Sequence, residues 1–99
     1  MSAKPWFVYL VRCRNGTLYT GISTDVQRRF EEHQQGAPKG ARYLRGKGPL
    51  ALVFQEQVRD RSQASRIELW LKKQPRKAKE ALVMNQTTLL NVFMDKEKQ

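Results

Sequence analysis

A short apolar segment near the N-terminus, followed by a turn signal, limits most strongly what this chain can fold into. Trp6 to Val11 reads WFVYLV, and its aromatic and β-branched residues are typical of a buried central strand. Asn15-Gly16 is a hairpin signal. The segment from Leu18 to Ile22 is expected to return as a second strand, in which Gly21 indicates close approach of another group to the backbone. The sequence therefore predicts a fold organised around one antiparallel hairpin.

A capped helix is predicted directly after the hairpin. Thr24 with Gln27 three positions later forms a capping-box start, which predicts a helix from about Asp25 to Gln35. Gly36 is the expected stop, because glycine is common just past a helix end. The inner face of this helix is expected to carry Val26, Phe30 and His33.

The remaining sequence predicts one more strand and two more helices. Leu50 to Val58 reads as the third strand. A second helix is expected from an Asp60 cap to about Lys73, where Pro75 breaks it, and a short basic helix should follow from about Arg76 to Met84. The apolar stripe of the second helix consists of Ala64, Ile67, Trp70 and Leu71.

The order β-β-α-β-α-α predicts a compact single α+β domain with a three-stranded antiparallel sheet flanked by helices. The 99 residues suffice for one domain. We place it at residues 1–84 and expect residues 85–99 to form a C-terminal tail that is partly flexible. The pattern leaves the strand order open.

The chain is strongly basic, with 19 Lys and Arg residues against nine Asp and Glu residues and a formal net charge of +10. Such a charge opposes compaction by self-repulsion, so it usually has a use in binding an anionic partner. Nucleic acid is the favoured partner, with DNA first and RNA still open. An anionic membrane surface is the second alternative.

The lone cysteine and the absence of long apolar runs bear on the compartment. Cys13 excludes an internal disulfide and any cysteine-based zinc site, and we interpret it as a small strand residue. No apolar run approaches the roughly 18–20 residues of a membrane span, and the N-terminus lacks the apolar core of a signal peptide. We expect a cytoplasmic monomer or weak dimer without membrane association.

Several motifs occur together at a recognisable spacing. The triplets Phe7-Val8-Tyr9 and Tyr19-Thr20-Gly21 lie on the two predicted hairpin strands, and the segment Gly21–His33 continues from the second. A distant Glu68 ends the stretch ASRIE. Across about residues 5 to 84 this pattern resembles the GIY-YIG nuclease superfamily, and most closely its small single-domain, YhbQ-like bacterial branch.

The resemblance implies a phosphodiesterase site with Tyr19 as the base, Arg29 on the phosphate and Glu68 on a Mg²⁺ or Mn²⁺ ion. The residue types suit these roles, because arginine offers a planar donor fork and one carboxylate is a usual protein ligand of Mg²⁺. A tyrosine with a pKa of about 10 needs a cation nearby to act as a base. Tyr9 would orient the water or the phosphate, and His33 would shuttle a proton or make a second phosphate contact.

Each of these residues also has an ordinary structural alternative. Tyr9 could be a core aromatic, and Tyr19 a cross-strand packing partner. Arg29 could be solvated surface, His33 a buried structural histidine, and Glu68 an exposed helix residue.

The hairpin register tests whether the two tyrosines can share a site. With a two-residue loop at Asn15-Gly16, Tyr9 and Tyr19 would point to opposite faces of the sheet. A shared site needs an odd loop, such as Arg14–Gly16 with Gly16 in a left-handed conformation, or a bulge in a strand. We predict one of these two arrangements.

Nucleic-acid contacts are expected from the first helix, from the Gly-rich basic loop at 36–49 and from the end of the second helix onward. Tyr43 could stack on an unpaired base. A solvated mobile loop is the alternative, and Lys79 and Glu80 are expected to face solvent. The expected contact residues are Arg28, Lys39, Arg42, Tyr43, Arg45, Lys47, Lys72, Lys73 and Arg76.

The sequence thus predicts a metal-dependent DNA endonuclease that hydrolyses phosphodiester bonds in DNA repair or processing. Since no base-reading module is visible, we expect it to be structure-selective or weakly sequence-specific. The alternatives are a non-catalytic basic nucleic-acid-binding protein that retains the nuclease fold, and a basic protein-interaction module.

Overall fold

The computed structural model describes residues 4–36, 39–89 and 91, which follow the predicted order of strands and helices. A short 3₁₀ turn inside the basic loop was not predicted. The elements are β1 (Trp6–Arg12), β2 (Leu18–Ser23), α1 (Val26–Gln35), the 3₁₀ turn (Arg42–Leu44), β3 (Ala51–Val58), α2 (Arg61–Lys72) and α3 (Arg76–Val83).

The three strands form one antiparallel sheet in the order β2-β1-β3, which confirms the predicted α+β fold. β1 lies in the centre, as its continuous apolar sequence predicts. β3 returns to pair with β1, with a register shift between Leu10 and Val11. β2 is consequently an edge strand.

The hairpin turn is a three-residue loop, Arg14–Gly16. The Cys13 N–H donates to the Thr17 carbonyl at 2.9 Å, and the Gly16 N–H donates to the Cys13 carbonyl at 2.9 Å. Gly16 has a φ of +89°, a conformation that glycine adopts without a Cβ penalty. The predicted odd loop with a left-handed Gly16 is confirmed.

This turn places the two tyrosines on one face of the sheet. Tyr9 lies opposite Gly21, and Tyr19 lies opposite Val11. Because side chains alternate along a strand, Tyr19 points to the same face as Gly21 and therefore as Tyr9. The geometric condition for a shared site is met.

Alternate residues of β1 contribute to two apolar clusters on opposite faces of the sheet. Tyr9 and Val11 pack with Val26 of α1, and Phe30 lies against this cluster. The larger cluster, on the face covered by α2 and α3, consists of Val8, Leu10, Val58, Ala64, Ile67, Leu71, Leu82 and Leu89.

The α1 cap differs from the prediction by one residue. Asp25, not Thr24, is the N-cap, and its carboxylate accepts from the Arg28 N–H at 3.1 Å. The helix begins at Val26, so a Thr24 side chain would lie one position too early to reach the third helical N–H. Gly36 ends the helix with a φ of +83°, as predicted.

The α2 cap is the predicted one, and it is reinforced from the following turn. The Asp60 carboxylate accepts from the Gln63 N–H at 2.8 Å. The Gln63 side-chain oxygen accepts from the Arg59 N–H at 2.7 Å, so this end of α2 is tied to the end of β3.

α3 is joined to the sheet by an ion pair. Arg12 of β1 donates to both carboxylate oxygens of Glu80, at 2.9 and 2.6 Å, and Arg76 donates to the same carboxylate at 3.2 Å. The expectation that Glu80 faces solvent is wrong, because α3 crosses the end of β1 and presents this carboxylate to the Arg12 guanidinium.

The segment after α3 contributes to the core where it is described. Leu89 is fully buried, and its N–H donates to the Glu56 carboxylate at 3.1 Å. The rest of the predicted tail, residue 90 and residues 92–99, lies outside the described residues. In the part of the chain that is described, no helix is long and apolar enough to cross a membrane.

Candidate active site

Tyr9 lies across the backbone of Gly21 on the neighbouring strand. A Cβ on residue 21 would collide with both Cζ and Oη of Tyr9. Glycine at this position is therefore required by the tyrosine ring, which is the close approach that the sequence predicted. The ring is 1% exposed, with its hydroxyl directed towards α1.

A chain of hydrogen bonds links Tyr9 to the basic loop through His33. The Ala41 N–H donates to His33 Nδ1 at 3.0 Å, and His33 Nε2 lies 2.8 Å from Tyr9 Oη. A backbone N–H can only donate, so Nδ1 is the unprotonated acceptor and neutral His33 carries its proton on Nε2. His33 Nε2–H therefore donates to Tyr9 Oη, which leaves the tyrosine proton free to be donated elsewhere.

Burial keeps both groups in their neutral forms. It lowers the pKa of His33 below its usual value, and the positive charge of Arg29 acts in the same direction. Burial also raises the pKa of Tyr9, with Tyr19 adding to the rise. Tyr9 is therefore a hydrogen-bond donor at neutral pH and a poor base.

Tyr19 packs at the centre of an aromatic group. Its ring meets His33 edge-on, with centroids 5.5 Å apart, and stacks on Tyr43 of the basic loop at 5.8 Å. Lys47 Nζ lies 3.3 Å from the Tyr43 centroid. Tyr43 thus has Tyr19 and Lys47 against its ring, and stacking on a base would require Lys47 to move.

Arg29 is held at the rim of this group. Its Nη1 donates to Glu32 Oε1 at 2.9 Å and to the Lys39 carbonyl at 2.6 Å. The side chain is 33% exposed. Arg29 is thus oriented by α1 and by the start of the basic loop, one turn before His33 on the same helix face.

Glu68 reaches the same region from α2. Its side chain is 21% exposed, and one carboxylate oxygen lies 3.5 Å from the more exposed Lys72 Nζ. In the described segments, no three His, Cys, Asp or Glu side chains cluster closely enough to hold a metal ion. Glu68 nevertheless offers a carboxylate next to Lys72, which lines a cavity with Tyr19, and Mg²⁺ commonly binds through one or two carboxylates together with substrate phosphates.

The pKa of the Tyr9 hydroxyl responds to charged and polar side chains from several elements. After burial, the pKa of this hydroxyl is raised by Tyr19, lowered by Arg29 and raised again by Glu68. These are three of the other four side chains that the sequence assigns to the site, and His33 contacts the hydroxyl directly. His33 thus contacts both tyrosines, and the charges of Arg29 and Glu68 act on the Tyr9 hydroxyl.

Comparison with known proteins assigns the family of the chain. A family model described as the GIY-YIG catalytic domain matches residues 5–81 of the 99. This chain belongs to the GIY-YIG family. The family assignment made from the tyrosine triplets and Glu68 is confirmed.

The GIY-YIG relatives include proteins of similar length. The chain is 50% identical over 95 residues to the UPF0213 protein YE0453 of Yersinia enterocolitica, covering 96% of both chains. It is 54% identical over 79 residues to the UPF0213 protein YhbQ of Escherichia coli, covering 80% of this chain and 77% of that one. These relatives confirm the YhbQ-like branch.

A solved structure shares the fold. The solution NMR structure of the protein EF2693 from E. faecalis is 32% identical and has a TM-score of 0.57. The similarity covers 85% of this chain and 88% of that one. Membership of the GIY-YIG nuclease family implies endonuclease activity on a nucleic-acid substrate.

The basic loop of this GIY-YIG domain is anchored to the protein. Besides the Ala41 bond to His33, the Gly40 N–H donates to the Gly36 carbonyl at 2.7 Å, and the Arg14 N–H donates to the Lys47 carbonyl at 2.9 Å. Leu44 of the loop is itself buried. The cations of the loop are therefore presented from an anchored backbone.

Nearly all the residues expected to contact nucleic acid are exposed, and Lys47 alone among them is half-buried. The exposed ones are Arg28, Lys39, Arg42, Tyr43, Arg45, Lys72, Lys73 and Arg76.

Two residues beside the GIY-YIG site were not assigned a role from the sequence. Thr20 is buried next to Tyr19, and its hydroxyl has no hydrogen-bond partner among the residues that the structure describes. Lys79 is half-buried and lines a cavity with Thr20, so the expectation that it faces solvent is wrong. Lys79 of α3 lines this cavity together with Leu18, Tyr19 and Thr20 of β2. No sequence periodicity distinguishes Lys79 from its neighbours on α3.

Proposed function

We propose that this protein is a metal-dependent endonuclease that hydrolyses phosphodiester bonds in DNA, with RNA as the other nucleic acid to test. The observation that carries the proposal is the Tyr9 hydroxyl, contacted by His33 and influenced electrostatically by Tyr19, Arg29 and Glu68. Phosphodiester hydrolysis needs an oriented nucleophile and stabilisation of charge on the phosphate. This arrangement offers side chains suited to both.

The two tyrosines have different roles in this proposal. Tyr9 is neutral and has a proton to donate, so it orients the attacking water or a phosphate oxygen. Tyr19 removes a proton from the attacking water, and Arg29 contacts the phosphate. His33 is a positioning residue, because it acts through the Tyr9 hydroxyl.

Arg29 and Glu68 bind the substrate phosphate and the metal ion in this proposal. The guanidinium donors of Arg29 that are not bound to Glu32 or Lys39 would hold the phosphate. Glu68 would ligate Mg²⁺ or Mn²⁺. Breaking its ion pair with Lys72 would cost little free energy, because the pair is long and partly exposed. The bound cation supplies electrostatic stabilisation of the phosphate charge.

The substrate is expected to be recognised by shape and charge. The anchored basic loop and the cations of α2 and α3 suit phosphate contacts, which position a strand without reading its sequence. We therefore propose a structure-selective or weakly sequence-specific enzyme of DNA repair or processing, acting in the cytoplasm as a monomer or weak dimer.

A cleavage panel of duplex, branched, nicked and single-stranded DNA, with and without Mg²⁺ or Mn²⁺, tests the proposal. Wild type should cut at least one substrate only with the divalent ion. Glu68→Gln should cut about 100-fold more slowly or worse, because it loses the charge that holds the metal. Its binding to the same DNA in EDTA should remain.

Glu31→Gln is the matched control, because it removes the same charge from an exposed position on α1. It should cut like wild type. Wild-type binding without cutting under any metal would instead favour a non-catalytic nucleic-acid-binding protein. A lack of salt-sensitive binding to DNA and RNA would favour a protein-interaction module.

A further inference from the structure

A cavity of about 320 Å³ opens at the outer edge of β2, beside Tyr19. Its volume is at the lower end of the roughly 300–1,000 Å³ common for ligand pockets. The lining combines two aromatic rings, two lysines and a threonine. The lining residues are Leu18, Tyr19, Thr20, Tyr43, Lys72 and Lys79.

The threonine in this lining has an unused hydroxyl. Thr20 is 2% exposed, and its Oγ1 has no hydrogen-bond partner among the described residues. Nearly all buried polar groups in proteins are hydrogen-bonded, because an unpaired one destabilises the fold. A hydroxyl left unpaired at a cavity wall is therefore suited to donate to a ligand.

Lys79 gives the same cavity a positive charge that the described residues do not neutralise. No Asp or Glu carboxylate oxygen of the described residues lies within 4 Å of Lys79 Nζ. Lys72 adds a second charge, since its pair with Glu68 is long and partly exposed. Lys79 and Leu18 also line a neighbouring cavity of about 190 Å³ with Arg76, so the positive charge continues along the β2 edge.

We propose that this cavity binds a second phosphate of the nucleic-acid strand, next to the phosphate that is cut. Thr20 Oγ1–H donates to this phosphate, and Lys79 and Lys72 supply the charge. Tyr19 lines the cavity while its ring contacts His33, so one side chain separates the two phosphate positions. A phosphate held here fixes the register of the strand across the active site. The inference rests on the proposed function, since it assumes that a strand reaches Tyr19.

The role of the Lys79 charge is tested by titrating the protein with inorganic phosphate in EDTA and following backbone amide shifts by NMR. The Thr20 and Lys79 amides of wild type should move saturably. Lys79→Gln should weaken phosphate binding about tenfold, because it removes a charge-assisted hydrogen bond. Lys77→Gln, an equal charge change at an exposed position on α3, should bind phosphate like wild type. Equal phosphate binding by the two variants would overturn the proposal.

The role of the Thr20 hydroxyl in phosphate binding is tested by Thr20→Val, which keeps the shape of the side chain. This variant should bind phosphate several-fold more weakly, while its melting temperature stays constant or rises, because an unpaired buried hydroxyl is replaced by a methyl group. A lower melting temperature with unchanged phosphate affinity would make Thr20 a structural residue and refute the proposed site.

A short oligothymidylate in EDTA separates a strand phosphate from a free anion. Lys79→Gln should also bind this oligonucleotide more weakly than Lys77→Gln does. If only inorganic phosphate binding falls, the cavity takes a free anion and the strand-phosphate proposal is wrong. These assays need no metal and no cleavage, so their outcome is independent of the Glu68→Gln experiment.

Discussion

At Tyr9 and His33, the direction of one hydrogen bond decides what each group can do. The Ala41 N–H occupies Nδ1 of the imidazole, so the proton lies on Nε2 and points at the tyrosine oxygen. Had Nδ1 carried the proton, Tyr9 would have to donate to the histidine and would have no proton for a ligand. A backbone group of the loop thus determines the chemistry of a buried tyrosine.

The stability of the fold should depend on pH through His33, the only histidine in the chain. Burial lowers its pKa, so the unfolded chain takes up a proton first as the pH falls. The free energy of unfolding should be highest above about pH 6.5 and decrease below it, by at most about 1.4 kcal/mol per pH unit. The decrease should stop once the pH is below the folded-state pKa.

Urea unfolding at several pH values between about 5 and 7.5 measures this dependence. His33→Gln takes up no proton in that range, so its free energy of unfolding should stay nearly constant. A slope as steep as that of wild type in this variant would assign the pH dependence to another group.

At the residue scale, spacing and resemblance indicated candidate members of the site but not their protonation. Of Tyr9, Tyr19, Arg29, His33 and Glu68, the fold brings the two tyrosines into contact with His33. The tautomer of His33 depends on a loop amide eight residues later, which no local pattern indicates. Thr20 was likewise not singled out, since burial of its hydroxyl depends on what α2 and α3 cover.

At the scale of elements, the position of α3 depends on the ion pair between Arg12 and Glu80. Both oxygens of the carboxylate accept from the Arg12 guanidinium, and Arg12 also donates to the Gly16 carbonyl at 3.2 Å. The pair lowers the pKa of Glu80 to about 2. It therefore joins the hairpin turn to a helix 68 residues away in sequence.

Glu80→Gln should lower the free energy of unfolding by about 1 kcal/mol at pH 7, a modest figure because the pair is partly exposed. Glu80 has a depressed folded-state pKa, so its contribution is present above about pH 4.5 and is lost as the pH falls towards 2. The difference from wild type should shrink accordingly in urea unfolding at acid pH. The exposed Glu31→Gln should not show this dependence, and a constant difference for Glu80→Gln would contradict the account.

Elements with local signals were predictable, and contacts between distant elements were not. The apolar run, the Asn15-Gly16 turn and the Asp60 cap predicted β1, the hairpin and the start of α2. The Thr24 cap was wrong by one residue, because Thr and Asp are adjacent and both are good caps. The Arg12–Glu80 pair depends on how α3 crosses the sheet, for which neither residue carries a local signal.

At the scale of the whole molecule, the net charge of +10 should appear as salt-sensitive binding to nucleic acid. The slope of log K against log salt reports the number of phosphates contacted, at roughly 0.9 per contact on duplex DNA. Arg45→Gln, on the anchored loop, should lower the magnitude of this slope by about 1. Fluorescence anisotropy between about 50 and 200 mM salt measures it.

Lys77→Gln changes the net charge equally and provides the comparison. If both variants lower the slope to the same extent, the charge acts as a diffuse field and the loop has no special contact. An unchanged slope for Lys77→Gln together with a lower one for Arg45→Gln locates a phosphate on the loop.

The strand order could not be deduced from the pattern of elements. A hairpin pairs β1 with β2 through a local turn, but β3 follows a helix and a long loop and could in principle pair at either edge. It pairs with β1, as the continuous apolar run of a central strand favours. β2 and β3 are therefore the two edge strands, and Thr20 of β2 lines a cavity with Lys79.

The central position of β1 determines whether Tyr9 can lose its place by local unfolding. Tyr9 occupies a strand whose neighbours on both sides are strands, and whose alternate residues pack into both apolar clusters. Local opening of a loop or a helix end cannot release such a strand, so its amides should exchange with solvent only through global unfolding. The backbone position of Tyr9 should therefore persist in partly opened forms of the protein and be lost only when the whole domain unfolds.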